Sequence, residues 1–367
     1  MRLLYATSIV YPSGLANRLQ TFAMAAAFSK KLGQENFFLG AQKTNIKIPG
    51  VRIIDFNSGR SVKLGWLCMK FAKVEGITHV HSREAKLLFA MIFYNKFFFR
   101  KNIKFIYEVH TVYDRNFKDR FAEKFVSRNS YCVTYLTNFL KKDHTKRFSY
   151  TPKKSIVSPD GVDLSVFDIS VSKDQSRKLL NIPVDKKVLV YTGRFKTMEM
   201  EKGLEDIFKA LSILPPEIVF VAMGGKPRHM DYYRKLSEDM GLKERVFFIE
   251  HLNQDMVAVC QKAADILLMP YPDMLHYRYY MSPLKMFEYM ASKRPIIATD
   301  LPSVREVLNE NNSVLVPPGS PEAISKAIKL LLSDEKFSSE IAERAFIDVG
   351  NYTWDKRAER ILLGAVN

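Results

Sequence analysis

Short apolar runs alternate with amphipathic segments along the whole chain. The run RLLYATSIV predicts a first strand, and LANRLQTFAMAAAFSKKLG after it has the apolar spacing of a helix. Comparable runs predict further strands, among them KFIYEVH in the first half and KKVLVYTGRF, EIVFVAMGG and RPIIATD in the second. Because strands that alternate with helices pair in parallel, the pattern predicts the α/β fold class.

The strand–helix pattern starts twice, which predicts two domains. A chain of 367 residues is also longer than one ordinary core supports. The segment SPDGVDLSVFDIS (158–170) contains Pro and Asp-Gly without strong periodicity and is predicted to be the linker. Each domain is expected to be a doubly wound, Rossmann-like parallel sheet, with ligands at the carboxyl ends of its strands and a central cleft between the two domains.

Charge is distributed unevenly along the chain. Residues 1–165 contain 28 Lys and Arg against 11 Asp and Glu, whereas residues 166–367 contain 28 of each class. A basic half indicates an anionic partner: nucleic acid, an anionic membrane or an acidic substrate. Within that half, LLFAMIFYNKFFFRKNIKFIY (87–107) predicts either a buried helix, a basic loop and a strand, or an amphipathic element that dips into a membrane surface.

The cysteines and the longest apolar runs bear on the compartment. Cys68, Cys132 and Cys260 are scattered singly, with neither metal-ligand spacing nor a disulfide framework, which fits a reducing compartment. The apolar run at the start is too short for a signal peptide, and no run approaches the roughly 18 residues of a transmembrane helix. The expected location is the cytoplasm, with peripheral attachment to the cytoplasmic face of the membrane as an alternative.

Two glycine turns follow predicted first strands. In SIVYPSGLANR, Gly14 lies between a strand and a helix, where amides can bind a phosphate, although a plain strand–helix turn explains the spacing equally well. In YTGRFKTMEMEKGL, Gly193 and Arg194 follow a buried strand and Lys202 precedes the next helix. Arg194 and Lys202 predict a clamp for a diphosphate, and the alternative is two solvated loop cations.

The stretch MSPLKMFEYMASKRP (281–295) predicts a helix with Ser282 as N-cap and Pro283 at the first helical position. Lys285 then lies in the first turn, where the helix dipole favours an acid, and Glu288 lies one turn deeper. A bound anion would explain Lys285, and ribose hydroxyls would explain Glu288. Alternatively, the two side chains pair with each other.

Histidines occur in two of the predicted strands. His110 ends KFIYEVH at the edge where a ligand is expected, and a histidine there can orient a substrate or transfer a proton. A structural role is the alternative. His79 and His81 alternate on another strand and are predicted to be packing or loop residues.

Taken together, these segments resemble the retaining GT-B glycosyltransferases of family 4, the group related to glycogen synthase and bacterial mannosyltransferases. The resemblance is carried by YTGRF…EKG, VAMGG, SPLKMFEYMASKRPIIATDLPSVREV and LVPPGSPEAISKAI, and PDGVDLSVF is similar to the family's linker. It covers most of the chain. It implies an acceptor-binding domain at 1–165, a donor-binding domain at 166–353, and a C-terminal helix at about 354–367 that packs back on the first domain.

The resemblance also implies roles for individual residues. Arg194 and Lys202 fall on the family's diphosphate-binding pair, Glu288 on the acid that binds ribose hydroxyls, and His110 on the first-domain histidine near the transferred sugar. With His110, Arg194 and Lys202 as catalytic candidates, the further donor-binding positions are Gly14, Gly193, Tyr280, Met281, Ser282, Pro283, Leu284 and Lys285. Tyr280 stands where the family often has its first glutamate, which leaves the identity of the sugar open.

The implied reaction moves a sugar from a UDP- or GDP-sugar, with retention of configuration, to a glycan, lipid-linked or other acceptor in cell-surface polysaccharide or glycoconjugate synthesis. No metal and no cofactor is expected, since no DxD-type acidic pair ends a predicted strand. The expected partners are the nucleotide sugar, the acceptor and an anionic membrane surface, and not nucleic acid. The alternatives are a UDP-sugar epimerase of the same fold and a basic membrane- or nucleic-acid-binding protein.

Overall fold

The chain divides into two compact units in a computed structural model that describes residues 1–8, 16–42, 47–58, 61–112, 116–197, 199–250 and 252–366. The first unit is Met1–Gly161 with Trp354–Asn367, and the second is Val162–Thr353. The predicted boundary at 165/166 falls inside a helix, Leu164–Phe167, of the second unit. The division lies earlier because the Val162 amide already donates to the Tyr352 carbonyl at 2.9 Å.

The first unit is built on a parallel sheet. Within the described residues its strands are β1 (Leu3–Ala6), β2 (Phe37–Ala41), β3 (Arg52–Asp55), β4 (His79–Ser82), β5 (Lys104–Val109), β6 (Cys132–Tyr135) and β7 (Ser155–Val157). Their spatial order is β3-β2-β1-β4-β5-β6-β7. The order reverses between β1 and β4, which makes the sheet doubly wound and directs ligands to the carboxyl ends of these two strands.

The described helices of the first unit connect these strands, except for the last one, which comes from the C-terminal end of the chain. They are α1 (Ala16–Leu32), α2 (Ser61–Val74), α3 (Ala85–Tyr94), α4 (Phe117–Asn129), α5 (Asn138–Phe148) and the C-terminal helix (Trp354–Val366). A π-helical turn, Asn95–Phe99, continues α3. Helix α1 ends where the sequence predicts, at Gly33, whose φ of +82° is a left-handed conformation that glycine adopts readily.

The second unit contains another parallel sheet. The strands described there are β8 (Lys187–Thr192), β9 (Lys196–Thr197), β10 (Met200–Glu201), β11 (Ile218–Gly225), β12 (Val246–Glu250), β13 (Ile266–Met269), β14 (Ile296–Thr299) and β15 (Val314–Val316). The sheet order is β12-β11-β8-β13-β14-β15, with the reversal between β8 and β13. Strands β9 and β10 form a separate antiparallel pair that the sequence did not predict. The predicted fold class, two doubly wound parallel-sheet domains, is confirmed.

Helices flank this second sheet. They are α6 (Leu164–Phe167), α7 (Lys173–Leu179), α8 (Leu204–Ser212), α9 (Pro227–Asp239), α10 (Gln254–Lys262), α11 (Leu275–Tyr279), α12 (Leu284–Ala291), α13 (Pro302–Arg305), α14 (Pro321–Ser333) and α15 (Glu335–Val349). A 3-10 turn, Lys243–Arg245, precedes β12. Among the helices described in the two units, none is long and apolar enough to cross a membrane.

Both faces of the second sheet are buried. Along β8, Val188 and Val190 enter one hydrophobic core, whereas Leu189 and Tyr191 enter the other. Successive side chains of a strand point to opposite faces. This double burial explains why the strand is an unbroken apolar run rather than an alternating one.

A buried ion pair ties the C-terminal helix to the sheet of the first unit. The guanidinium Nη2 of Arg357 donates to Oε1 of Glu108, on β5, at 3.1 Å. Its Nε donates to the Pro159 carbonyl at 2.9 Å and lies 3.8 Å from Oδ1 of Asp160. Burial by itself would raise the pKa of Glu108, but Arg357 and His110 hold that pKa well below its usual value.

Replacement of Arg357 by Met is expected to destabilise the protein by about 3–5 kcal/mol, because it leaves the Glu108 carboxylate buried without its cation. Urea unfolding of the full chain measures the loss. The matched control is Arg344→Met on α15, since Arg344 is 57% exposed and its Nε lies 3.1 Å from Oδ1 of Asp348. A pair whose cation is exposed to solvent in this way contributes no more than about 1 kcal/mol.

Candidate functional site

The loops after β8 and β13 lie at the strand-order reversal of the second sheet, where doubly wound sheets bind their ligands. Gly193 and Arg194 follow β8, and Pro270 follows β13. Lys285 of α12 reaches the first of these loops, because its Cε would lie 3.3 Å from a β-carbon placed on Gly193. The predicted residues Gly193, Arg194 and Lys285 therefore lie at the same end of the sheet.

The ammonium group of Lys285 is buried against aromatic rings. Its Nζ lies 3.4 Å from the ring centroid of Tyr191 and 5.6 Å from that of Tyr271, and the residue is 7% exposed. The Nζ atom has no hydrogen-bond partner among the described residues. Burial lowers the pKa of Lys285 well below its usual value, and the charge of Lys202 lowers it further. Such a group is costly to keep charged unless an anion is supplied.

Two further cations lie close to one another in the same unit. Burial lowers the pKa of Lys202 to about 8, and the neighbouring charge of Arg194 contributes to that shift. Burial also lowers the pKa of Arg194. Within the described ranges, neither cation forms an ion pair, and Glu201 beside Lys202 is already engaged. Its carboxylate accepts from the amides of Gly203 at 2.5 Å and Leu204 at 2.7 Å.

Gly203 fixes the loop that carries Lys202. Its φ is +86°, and a β-carbon there would lie 1.7 Å from the carbonyl oxygen of Pro270. The backbone before α8 can therefore touch the end of β13 because this residue has no side chain. The sequence identified the Lys-Gly pair but not this contact, which joins residues far apart in the chain.

Glu288 lies one helical turn beyond Lys285 and is partly buried. Burial raises its pKa to about 7, which Lys285 and a hydrogen bond from Gln261 oppose. The Gln261 amide nitrogen lies 3.5 Å from Oε2 of Glu288 and 3.2 Å from Oγ1 of Thr192. Lys285 and Glu288 form no direct ion pair in the described structure. The alternative that the two side chains simply pair with each other is therefore wrong. No sequence pattern pointed to Gln261.

Helix α12 begins one residue later than predicted. Pro283, with φ −76° and ψ 131°, is the N-cap, and Leu284 is the first helical residue. The proposed N-cap, Ser282, therefore lies before the helix, where it is buried with Tyr280 and Met281. Because the first turn of a helix has no intrahelical acceptors for its amides, the N–H groups at the start of α12 are suited to anion binding beside Lys285.

His110 lies in the first unit, directly after β5. Its Nε2 pairs with Oε1 of Glu108, and Oε2 of that carboxylate lies 3.1 Å from Nε2 of His81. Burial lowers the pKa of His110 to about 4, and the charge of Arg83 acts in the same direction. The imidazole is therefore neutral near pH 7. His79 and His81 are both buried in β4, and the contact of His81 with Glu108 was not foreseen.

The first glycine turn is only partly described. Gly14 lies outside the described residues. Upstream of it, the Glu84 carboxylate accepts from the Thr7 hydroxyl at 2.8 Å and from the Ser8 amide at 2.7 Å. The chain leaving β1 is thus held by the residue that precedes α3.

Replacement of Gly203 by Ala is expected to destabilise the protein more than the same change at Gly241. Both glycines have positive φ, but a β-carbon at Gly241 would meet nothing within 4 Å. Gly241→Ala therefore loses about 1–2 kcal/mol from the left-handed backbone alone. Gly203→Ala adds overpacking against Pro270, about 1–3 kcal/mol more. Equal losses in urea unfolding would contradict the proposed contact.

Most of the second unit matches a known family model. Residues 172–347 match the family described as glycosyl transferases group 1. An uncharacterized glycosyltransferase of Methanocaldococcus jannaschii is 25% identical over 255 residues, which are 68% of this chain and 63% of that protein. The matched part is thus less than two thirds of the length of that relative.

Solved structures resemble the whole chain. Sucrose-phosphate synthase from Thermosynechococcus elongatus superposes with a TM-score of 0.78 at 19% identity, over 99% of this chain and 98% of that one. Anabaena HepE in complex with UDP-glucose gives a TM-score of 0.76 at 16% identity, over 99% and 98%. At such identities the likeness concerns the fold. Residues 172–347 are therefore similar to the glycosyl transferases group 1 family, and the two parallel-sheet α/β domains match solved GT-B structures in fold.

Proposed function

We propose that the protein is a retaining glycosyltransferase that moves a hexosyl group from a UDP- or GDP-sugar to a glycan or lipid-linked acceptor. The observation that carries the proposal is the set of three cations, Arg194, Lys202 and Lys285, at the strand-order reversal of the second unit. Such a donor leaves as a nucleoside diphosphate. Preorganised cations stabilise the negative charge that develops on that leaving group.

Each cation suits the diphosphate in a different way. The guanidinium of Arg194 can bind two oxygens at once, whereas the ammonium groups of Lys202 and Lys285 act as point charges. A phosphate oxygen would also give the buried Nζ of Lys285 the acceptor that the described residues do not provide. Gly193 leaves room beside that Nζ for the ligand, since a β-carbon there would lie 3.4 Å from it.

Glu288 is proposed to bind the ribose. An ionised carboxylate can accept hydrogen bonds from two vicinal hydroxyls, and ionisation of Glu288 is favoured by Lys285 and by Gln261 against the effect of burial. The position of Gln261 between Thr192 and Glu288 keeps the carboxylate in place. The nucleotide part of the donor is thereby assigned to side chains of α10, α12 and the loops after β8 and β10.

The sugar part of the proposal rests more on the family resemblance. His110, neutral and held by Glu108, is proposed to orient the transferred sugar. Tyr280, Met281 and Ser282 are proposed to supply the contacts that a glutamate makes in many relatives. Because the three cations would supply positive charge to the proposed leaving group, neither a metal nor a cofactor is included in the proposal. The proposed location is the cytoplasm and the proposed pathway is cell-surface polysaccharide or glycoconjugate synthesis.

The comparisons support this assignment over its alternatives. A fold neighbour has been solved with UDP-glucose, which favours a UDP-sugar as donor. The match of residues 172–347 to glycosyl transferases group 1 does not favour a UDP-sugar epimerase or a nucleic-acid-binding protein. A product assay separates the enzymatic alternatives, because transfer forms a glycosidic bond whereas epimerisation returns an isomerised donor. The anomeric configuration of the product, read by NMR, tests retention.

Replacement of Arg194 or Lys202 by Ala is expected to weaken UDP binding by about 10- to 100-fold, since hydrogen bonds to charged groups contribute about 1.5–3 kcal/mol. Calorimetric titration with UDP and GDP measures this and identifies the base. Turnover should be lost in both variants while the unfolding transition is kept. Lys209→Ala on α8 is the control, because Lys209 is 57% exposed. If both loop variants bind nucleotide like the wild type, Arg194 and Lys202 do not bind the diphosphate as proposed.

Replacement of Glu288 by Gln is expected to weaken UDP binding while making the free protein more stable above pH 7. The pKa of Glu288 is raised from 4.5 to about 7, so the folded state keeps a proton that the unfolded state loses between these values. The stability that this proton confers is complete below pH 4.5 and is lost as the pH rises to 7. The Glu288→Gln variant shows no such decline in stability as the pH rises. Urea unfolding of both proteins below pH 4.5 and above pH 7 measures this difference in stability. A Glu288→Gln variant that is less stable than the wild type at both pH values would contradict the expectation.

A further inference from the structure

The first unit exposes large aromatic side chains. Phe97 and Phe98 of the π-helical turn are 59% and 61% exposed, and Phe117 and Phe121 of α4 are 82% and 52% exposed. Single apolar residues at a surface are ordinary, but contiguous exposed apolar patches indicate an interaction site. Contacts between these rings therefore distinguish scattered exposed residues from one contiguous patch.

The exposed rings form one continuous surface. Phe117 lies 6.3 Å from Phe121, which lies 5.9 Å from Phe89, measured between ring centroids. Phe89 lies 6.3 Å from Phe93, and Phe93 lies 4.7 Å from Phe97. A second branch runs from Phe93 through Tyr94 to Phe98, with 6.0 Å between the centroids at each step, and Phe98 lies 5.6 Å from Trp66. The aromatic patch is defined here by its exposed members, Trp66, Phe93, Phe97, Phe98, Phe117 and Phe121.

The turn that presents two of these rings is held by the fold. The side-chain amide of Asn95, itself buried, donates to the Lys101 carbonyl at 2.9 Å and accepts from the Lys101 amide at 3.1 Å. Arg100, with φ 50°, closes the turn in a left-handed conformation, and its amide donates to the Asn95 carbonyl at 2.7 Å. The exposure of Phe97 and Phe98 is thus a fixed feature of the structure.

Positive charge surrounds the patch. The exposed cations on the turn, in the two residues after it and on α4 are Lys96, Arg100, Lys101, Lys118, Arg120, Lys124 and Arg128. By contrast, every Asp and Glu in the described ranges 61–112 and 116–130 is buried or partly buried. Asp119 is paired with Lys86 at 2.7 Å, and Glu123 with His144 at 3.1 Å. The partner of this surface should therefore combine an apolar layer with negative charge.

We propose that the aromatic patch docks on the surface of an anionic lipid bilayer. Aromatic rings partition to the boundary between headgroups and acyl chains, and lysine and arginine beside them bind lipid phosphates. A second copy of this chain fits less well, because pairing the patch with itself would bring the two cationic rims together. Lipid binding does not require glycosyl transfer, so it can fail or succeed independently of the proposed enzyme activity.

Co-sedimentation of the full chain with vesicles tests the proposal. The vesicles are phosphatidylcholine alone, and equal parts phosphatidylcholine and phosphatidylglycerol. The wild type should sediment with the anionic vesicles, and added salt should release it. The double variant Phe97→Ser, Phe98→Ser should lower the partition coefficient by about tenfold or more. Lys101→Glu should lower it by about fivefold or more on anionic vesicles.

Matched controls distinguish the patch from general surface effects. Ile347→Ser removes an apolar side chain that is 59% exposed on α15, and Lys235→Glu reverses an exposed charge on α9. Both should bind vesicles like the wild type, and all variants should unfold at the wild-type urea concentration. Absence of vesicle binding, or equal binding by the double phenylalanine variant, overturns the proposal. Patch-dependent binding to a single-stranded oligonucleotide or patch-dependent dimerisation, without vesicle binding, also overturns it.

Discussion

The ion pair between Arg357 and Glu108 is the constraint on which the first unit depends. It places a full positive and a full negative charge where water does not reach, and it joins the C-terminal helix to β5. The same carboxylate contacts His110 and His81. The histidine that the proposed mechanism uses is therefore oriented by a group whose charge is maintained from another part of the chain. A buried pair of this kind contributes less to stability than to a single arrangement of its surroundings, which is the role we assign it.

The buried cations Arg357 and Lys285 differ in whether each has a partner of opposite charge among the described residues. In the first unit the buried cation Arg357 donates to Glu108 at 3.1 Å and lies 3.8 Å from Asp160. In the second unit Lys285 is buried over the ring of Tyr191 without a hydrogen-bond acceptor in the described part of the chain. The pKa values of Lys202 and Lys285 are lowered accordingly. A compensated network favours a single arrangement of its surroundings, whereas an uncompensated buried cation costs free energy that an anionic ligand can recover on binding. This contrast distinguishes the scaffold from the proposed donor site.

Much of the fold was predictable from local patterns, because buried parallel strands and crossover helices leave a clear periodicity in sequence. The residues at strand ends, such as Gly193, Arg194 and Lys202, could be found for the same reason. The sequence did not predict two contacts between residues that are distant in the chain. These are the close approach of Gly203 to Pro270 and the contact of Gln261 with Glu288. Local errors were small. Helix α12 begins after Pro283 rather than after Ser282, because the backbone of Pro283 is extended, with ψ 131°, and not helical.

The first unit is assembled from two separate stretches of chain, and this has a consequence for folding during synthesis. Residues 354–366 leave the ribosome after all of residues 162–353, so the second unit has its complete sequence before the first does. Until then Glu108 has no Arg357 to neutralise it, and the sheet around β5 must tolerate a solvated carboxylate. Domains generally fold as units in the order in which they emerge. Here the domain that begins to emerge first completes its core last, so a nascent chain exposes an unfinished first domain throughout the synthesis of the second.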